Sequence, residues 1–124
     1  MVERLLIIDD DARLAAMVSD YLTAAGYDVD CRFTGREGLA TLERESFDAI
    51  ILDVMLPGRD GVDLTQSLKA DPALAGIPVV MLTGDARREV LMRSMEAGAA
   101  DFIVKPFTPD ALLAKLAKYL PLMH

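Results

Sequence analysis

Three features of the sequence predict an α/β domain whose parallel sheet is covered on both faces. The run Ala49-Ile50-Ile51-Leu52 is apolar without alternation, as in a strand buried on both sides, and it ends in a single carboxylate, Asp53. A second such run, Leu5-Leu6-Ile7-Ile8, ends in three acids, Asp9, Asp10 and Asp11. Beyond these, short apolar runs alternate with segments of helical periodicity along the whole chain, five of each. In open parallel sheets the ligand crevice lies outside the carboxyl ends of the strands. Asp53 therefore stands where such a fold does its chemistry. The turn signal Leu56-Pro57-Gly58 and then Gly61 follow it.

In chain order, Arg4 to Ile8 reads as the first strand. Leu14, Val18, Tyr21, Leu22 and Ala25 repeat at helical spacing, and Gly26 supplies the stop. Tyr27 to Arg32 alternates as a short strand, with Tyr27, Val29 and Cys31 on one side. Thr34-Gly35-Arg36-Glu37 is a capping box, worth about 1 kcal/mol for its Thr, and it opens a helix carrying Leu39 and Leu42. Phe47 to Leu52 is the third strand. Gly61 to Ala70 is the third helix, with Leu64 and Leu68 on one face. Asp71-Pro72 and Gly76 to Pro78 mark a loop.

Pro78 to Leu82 is the fourth strand, ending at Thr83-Gly84. Ala86 to Ala97 reads as the fourth helix, stopped by Gly98, and Asp101 to Val104 as the fifth strand, ending at Lys105-Pro106. Thr108-Pro109 caps the last helix, whose apolar face is Leu112, Leu113, Leu116, Tyr119 and Leu120. Right-handed crossovers leave few topologies. The favoured one is the flavodoxin-like, doubly wound (βα)5 arrangement with strand order 2-1-3-4-5. Its switch point lies between the first and third strands, where Asp9, Asp10 and Asp53 end up.

The bulk properties narrow the class. A chain of 124 residues suits one domain, here residues 1–124, and no second one. Hydrophobic content of 52% with 27% charged residues is globular. No apolar run approaches a membrane span, and the N-terminus does not read as a signal peptide, so a soluble protein without a membrane partner is expected. The single cysteine, Cys31, reads as a strand residue and fits a reducing cytoplasm. His124, the one histidine, is terminal and has no assigned role. A net charge of −7 argues against direct nucleic-acid binding by this domain and permits a divalent cation.

Asp9 with Asp10, Asp53, Thr83, Asp85 and Lys105 all fall at strand ends on one rim. Singly, each has a plain reading: Asp11 as a helix N-cap, Thr83 as a turn residue, Lys105 as a solvated charge. Their joint placement at successive strand ends calls for more. Clustered carboxylates repel one another, and a hard cation with oxygen ligands, Mg²⁺, would neutralise them. Lys105 and Thr83 could hold an oxyanion such as a phosphoryl group, and a carboxylate can take that group covalently.

Ile7-Ile8-Asp9-Asp10-Asp11, Ile51 to Gly58, Met81-Leu82-Thr83-Gly84 and Phe102-Ile103-Val104-Lys105-Pro106-Phe107 resemble the receiver domain of two-component response regulators. The resemblance covers essentially the whole chain. It implies that Asp53 is the phosphoacceptor and that Asp9, Asp10, Asp53 and the Met55 backbone carbonyl hold Mg²⁺. It implies that Thr83 hydrogen-bonds the phosphoryl group, that Lys105 pairs with it, and that Phe102 is the switch aromatic. Met55 and Asp85 match positions that tune the lifetime of the phosphoryl group. The implied partners are a sensor histidine kinase or phosphotransfer protein, and a downstream protein or fused effector domain. Such a domain catalyses only its own phosphorylation and dephosphorylation. The resemblance also raises a phosphorylation-dependent homodimer, as in the winged-helix subfamily, through the fourth helix, fifth strand and fifth helix. Here that face carries Arg93, Glu96, Asp101 and Lys115 beside neutral Leu91, Ala97, Ala111 and Ala114.

An alternative from another class is an aspartate-nucleophile phosphatase of the haloacid-dehalogenase type. Asp9 and Asp11 have its Asp-x-Asp spacing, but Arg13 stands where Thr or Val is expected. A flavin or dinucleotide binder would need a Gly-rich loop after the first strand, and none is present.

Overall fold

The computed structural model describes residues 2–56 and 60–120. Pro57, Gly58 and His124 lie outside the described residues. The elements run β1 (Arg4–Ile8), α1 (Ala12–Ala24), β2 (Asp28–Arg32), α2 (Gly35–Arg44), β3 (Ala49–Asp53), α3 (Gly61–Ala70), β4 (Val79–Thr83), α4 (Arg88–Glu96), β5 (Asp101–Val104) and α5 (Pro109–Ala117). All strand pairs are parallel, in the order β2-β1-β3-β4-β5. This is the expected doubly wound, flavodoxin-like arrangement.

The two faces of the sheet make two cores. Leu6, Ile8, Ile50, Leu52, Val79 and Met81 point to one face, where α2, α3 and α4 contribute Leu42, Val62, Leu64, Leu68 and the half-buried Val90. Leu5, Ile7, Ala49, Ile51, Val80 and Leu82 point to the other, covered by α1 and α5 through Ala15, Val18, Leu22, Leu112 and Leu116. Side chains alternate because the strand period is two, so each central strand must be apolar throughout. Each large aliphatic chain so buried contributes about 1.5–3 kcal/mol. Every residue of β3 and β4 is buried, which holds Asp53 and Thr83 rigidly at their carboxyl ends.

Caps behave largely as the sequence predicts. Asp11 accepts the Leu14 N–H at 3.0 Å and starts α1. Thr34 accepts the Glu37 N–H at 3.1 Å, while Glu37 reaches back to the Phe33 N–H. Thr108 accepts the Ala111 N–H ahead of Pro109. Gly26, at φ 105°, takes the left-handed conformation that ends α1.

Several boundaries differ from expectation. The third strand is Ala49–Asp53 rather than Phe47 to Leu52, because Asp53 continues the ladder opposite Leu82. The fourth helix begins at Arg88, not Ala86. Asp85 captures the Arg87 N–H at 3.0 Å in a turn, and the chain at Arg87 is still extended. The last helix ends at Ala117, with Leu120 packed back into the core beyond it.

Candidate functional site

The site is built by the ends of β1, β3 and β5. Asp9 follows β1 directly, and its backbone N–H bonds to the Arg32 carbonyl at 3.1 Å. Its side chain is fully buried, and Oδ1 accepts the Asp11 N–H at 2.9 Å. Asp10 is exposed. Oxygens of Asp9, Asp10 and Asp53 all lie within 4.8 Å of one another. The Lys105 Nζ stands 3.4 Å from Asp9 Oδ2 and 3.4 Å from Asp53 Oδ2. Three carboxylates therefore face one ammonium.

Asp53 is only 5% exposed. Burial pushes its carboxyl up to about 6; the Met55 N–H, 3.1 Å from Oδ1, and the Lys105 ammonium work against that rise, and the Asp9 carboxylate adds to it. The loop after Asp53 is held by a close approach. The Gly61 N–H donates to the Val54 carbonyl at 2.8 Å, and a Cβ at Gly61 would run into the Asp53 carbonyl oxygen and the Val54 Cα. The start of α3 thus lies flat against the residue that carries the site, which only glycine permits.

An all-oxygen set of two buried carboxylates and one exposed one, with a deficit of positive charge, suits a small hard cation. The exposed acid leaves room for water on the open side of the cluster.

Not every expected residue turns to this cluster. Thr83 is buried, yet its hydroxyl donates to the Asp85 carbonyl at 3.1 Å and accepts the Asp85 N–H at 3.0 Å. The carboxylate of Asp85 faces Arg87. Phe102 is half-buried between the core and a shallow groove lined by Arg88, Leu91, Met92, Met95 and Glu96, with the Lys115 Nζ 5.4 Å from its ring centre. The Met55 side chain is exposed.

The sequence reading passed over two residues that shape this rim. Asp60 caps α3 by accepting the Val62 N–H at 2.7 Å; an acid just before an apolar helical repeat was the available signal. Arg87 grips Asp85, and a spacing of two carries no periodic signal.

The chain is thus a parallel α/β domain with an acidic pocket and a facing lysine on its switch-point rim. The family model for the response regulator receiver domain matches residues 5–117, and the chain belongs to that family. It is a receiver domain of two-component response regulators, and such domains generally bind Mg²⁺. The chain is 38% identical over 116 residues to the DNA-binding response regulator MtrA of Mycobacterium tuberculosis, covering 94% of this chain and 50% of that protein. It is 40% identical over 113 residues to the DNA-binding dual master transcriptional regulator RpaA of a Synechocystis species, covering 91% and 47%. The chain thus spans about half the length of the curated relatives it matches. The structure of the chemotaxis response regulator CheY4 of Vibrio cholerae superposes with a TM-score of 0.91 at 33% identity, covering 97% of this chain and 100% of that one.

The phosphatase alternative is not supported. Membership of the receiver family replaces it. Its second acid, Asp11, is also spent on capping α1, so the Asp-x-Asp pair does not act as one unit. No helix among the described residues is long and apolar enough to cross a membrane.

Proposed function

We propose that this chain accepts a phosphoryl group on Asp53 from a histidine kinase or phosphotransfer protein. The observation that carries the reading is the buried Asp53 carboxylate with Lys105 at 3.4 Å and Asp9 and Asp10 beside it. An Asp53 carboxylate oxygen attacks phosphorus, the bond from phosphorus to the donor breaks, and the donor leaves with that electron pair. Lys105 pairs with the phosphoryl oxygens as charge moves onto them. Asp9 and Asp10, with Asp53 and the Met55 carbonyl, would hold Mg²⁺. When bound, that ion supplies positive charge that offsets the crowded carboxylates and the incoming anion.

Phosphorylation adds about −1.5 to −2 charges at Asp53. The Thr83 hydroxyl then leaves the Asp85 carbonyl and donates to the phosphoryl group. Phe102 moves with it, and the surface of α4, β5 and α5 changes. Moving a ratio from 1:99 to 99:1 takes about 5.5 kcal/mol of differential binding. One charge-assisted bond to Thr83 supplies only about 1.5–3 kcal/mol, so Lys105 must supply part of the rest.

The output goes to a downstream protein or a fused effector domain. Residues 1–124 act as one cytoplasmic receiver domain that does not itself bind nucleic acid. A phosphorylation-dependent homodimer on the α4–β5–α5 face would have to re-pair its charges. Arg93 is 3.4 Å from Asp60, and Lys115 is 3.0 Å from Asp101, both within the chain.

Incubation with Mg²⁺ and a small acyl phosphate should add one phosphoryl group, labile to hydroxylamine, at Asp53. Asp53→Asn should abolish it; equal labelling of that variant contradicts the assignment. Mg²⁺ should also raise the melting temperature by mass action, and Asp10→Ala should remove most of that rise.

A further inference from the structure

The β4–α4 loop carries a clasp that the phosphoryl chemistry does not require. Arg87 Nη2 lies 2.7 Å from Asp85 Oδ2, and its Nε lies 2.9 Å from Oδ2 and 3.0 Å from Oδ1. The Arg87 N–H also donates to Asp85 Oδ1 at 3.0 Å. The Asp85 carboxylate is thus tied to both the side chain and the backbone of Arg87. The Thr83 hydroxyl binds the backbone of that same residue, through the Asp85 N–H and carbonyl. Among the described residues, Arg87 also forms an ion pair with Glu89, at 3.9 Å.

Resting on the reading that the Thr83 hydroxyl answers a phosphoryl group on Asp53, we propose that Arg87 is a positioning residue that latches this hydroxyl in its resting place. A free loop would yield the hydroxyl easily. A loop stiffened by a two-point guanidinium–carboxylate pair must open first, because both of the hydroxyl's bonds end on the clamped residue. The same pair turns the Asp85 carboxylate toward Arg87, which holds its carboxyl below the usual carboxylate range. The following helix gives the loop no competing anchor, since α4 has no side-chain cap of its own. The latch therefore sets how much phosphoryl binding reaches α4.

Plain electrostatics and the latch predict opposite signs, which makes the test sharp. Removing a cation near an anion site should weaken anion binding, whereas removing the latch should strengthen it. The probe is beryllofluoride with Mg²⁺, followed by amide chemical shifts of residues 88–96. Arg87→Ala should bind it about twofold to fivefold more tightly, the scale of one exposed ion pair. Asp85→Asn keeps the acceptor for the Arg87 N–H but loses the pair and a negative charge, and should tighten binding at least as much; the opposite signs are read from Arg87→Ala. The double variant should tighten it no further, and Glu89→Gln should leave it unchanged. Weaker or unchanged binding by a folded Arg87→Ala overturns the latch, as does a Glu89→Gln effect of equal size. Wild-type protein that neither binds the probe nor labels at Asp53 overturns the reading of the site, and the latch with it.

Discussion

Helices α1 and α4 flank the same rim and are anchored in opposite ways. α1 runs 13 residues, is capped by Asp11, and buries Ala15, Val18 and Leu22. Its Tyr21 hydroxyl donates to Asp110 of α5 at 2.6 Å. α4 runs nine residues, has no side-chain cap, and buries only Ser94, whose hydroxyl turns back to the Val90 carbonyl. Met92 and Met95 on α4 are 45% and 42% exposed. A helix with few buried apolar groups opens at low free-energy cost, and switching elements are drawn from that end of the scale. The side of the rim that carries Asp9 and Asp10 is thus fixed, while the α4 side, beyond the anchored backbone of Thr83, can move.

The strongest test of this contrast is truncation. Leu22→Ala should cost about 2–5 kcal/mol of unfolding free energy in urea, because it empties a fully buried site. A cost below about 1 kcal/mol would remove the distinction between the two helices.

Between the helices, Asp53 should make stability depend on pH in metal-free protein. Its folded value, about 6, lies above the unfolded value near 3.8. Between those two values the folded state holds the proton and the unfolded state does not. Stability therefore falls as pH rises from about 4 to about 6, by on the order of 2 kcal/mol. Asp85 and Asp101, both shifted down, act in the opposite sense only at lower pH. Asp53→Asn should flatten the slope between pH 4 and 6; a slope that persists would place its source elsewhere.

Smaller effects sharpen the comparison. Asp11→Ala should cost about 1 kcal/mol by removing the α1 cap, with no equivalent residue to remove in α4. Amide exchange should then speed up across the first turn of α1 and leave α4 as it was. Met95→Ala should change stability by less than about 0.5 kcal/mol. A loss near that of Leu22→Ala would show that α4 is held as firmly as α1.

The sequence alone determined the strand order, the strand-end acids, Lys105 and three helix caps. Each of these rests on signals that are local or periodic. An unbroken apolar run reports burial on both faces wherever it falls, and a Thr-x-x-Glu box works through its own backbone. Tertiary structure decided the rest. Gly61 lies against the Asp53 carbonyl because α3 packs onto the end of β3. Lys115 is occupied by Asp101 because α5 lies along β5, and a sequence cannot show whether a surface charge is already paired. The start of α4 and the resting partner of Thr83 were set by one short loop in which Arg87 folds back on Asp85. Periodicity carries no information about such a loop, because its geometry follows from where two strands and a helix leave its ends.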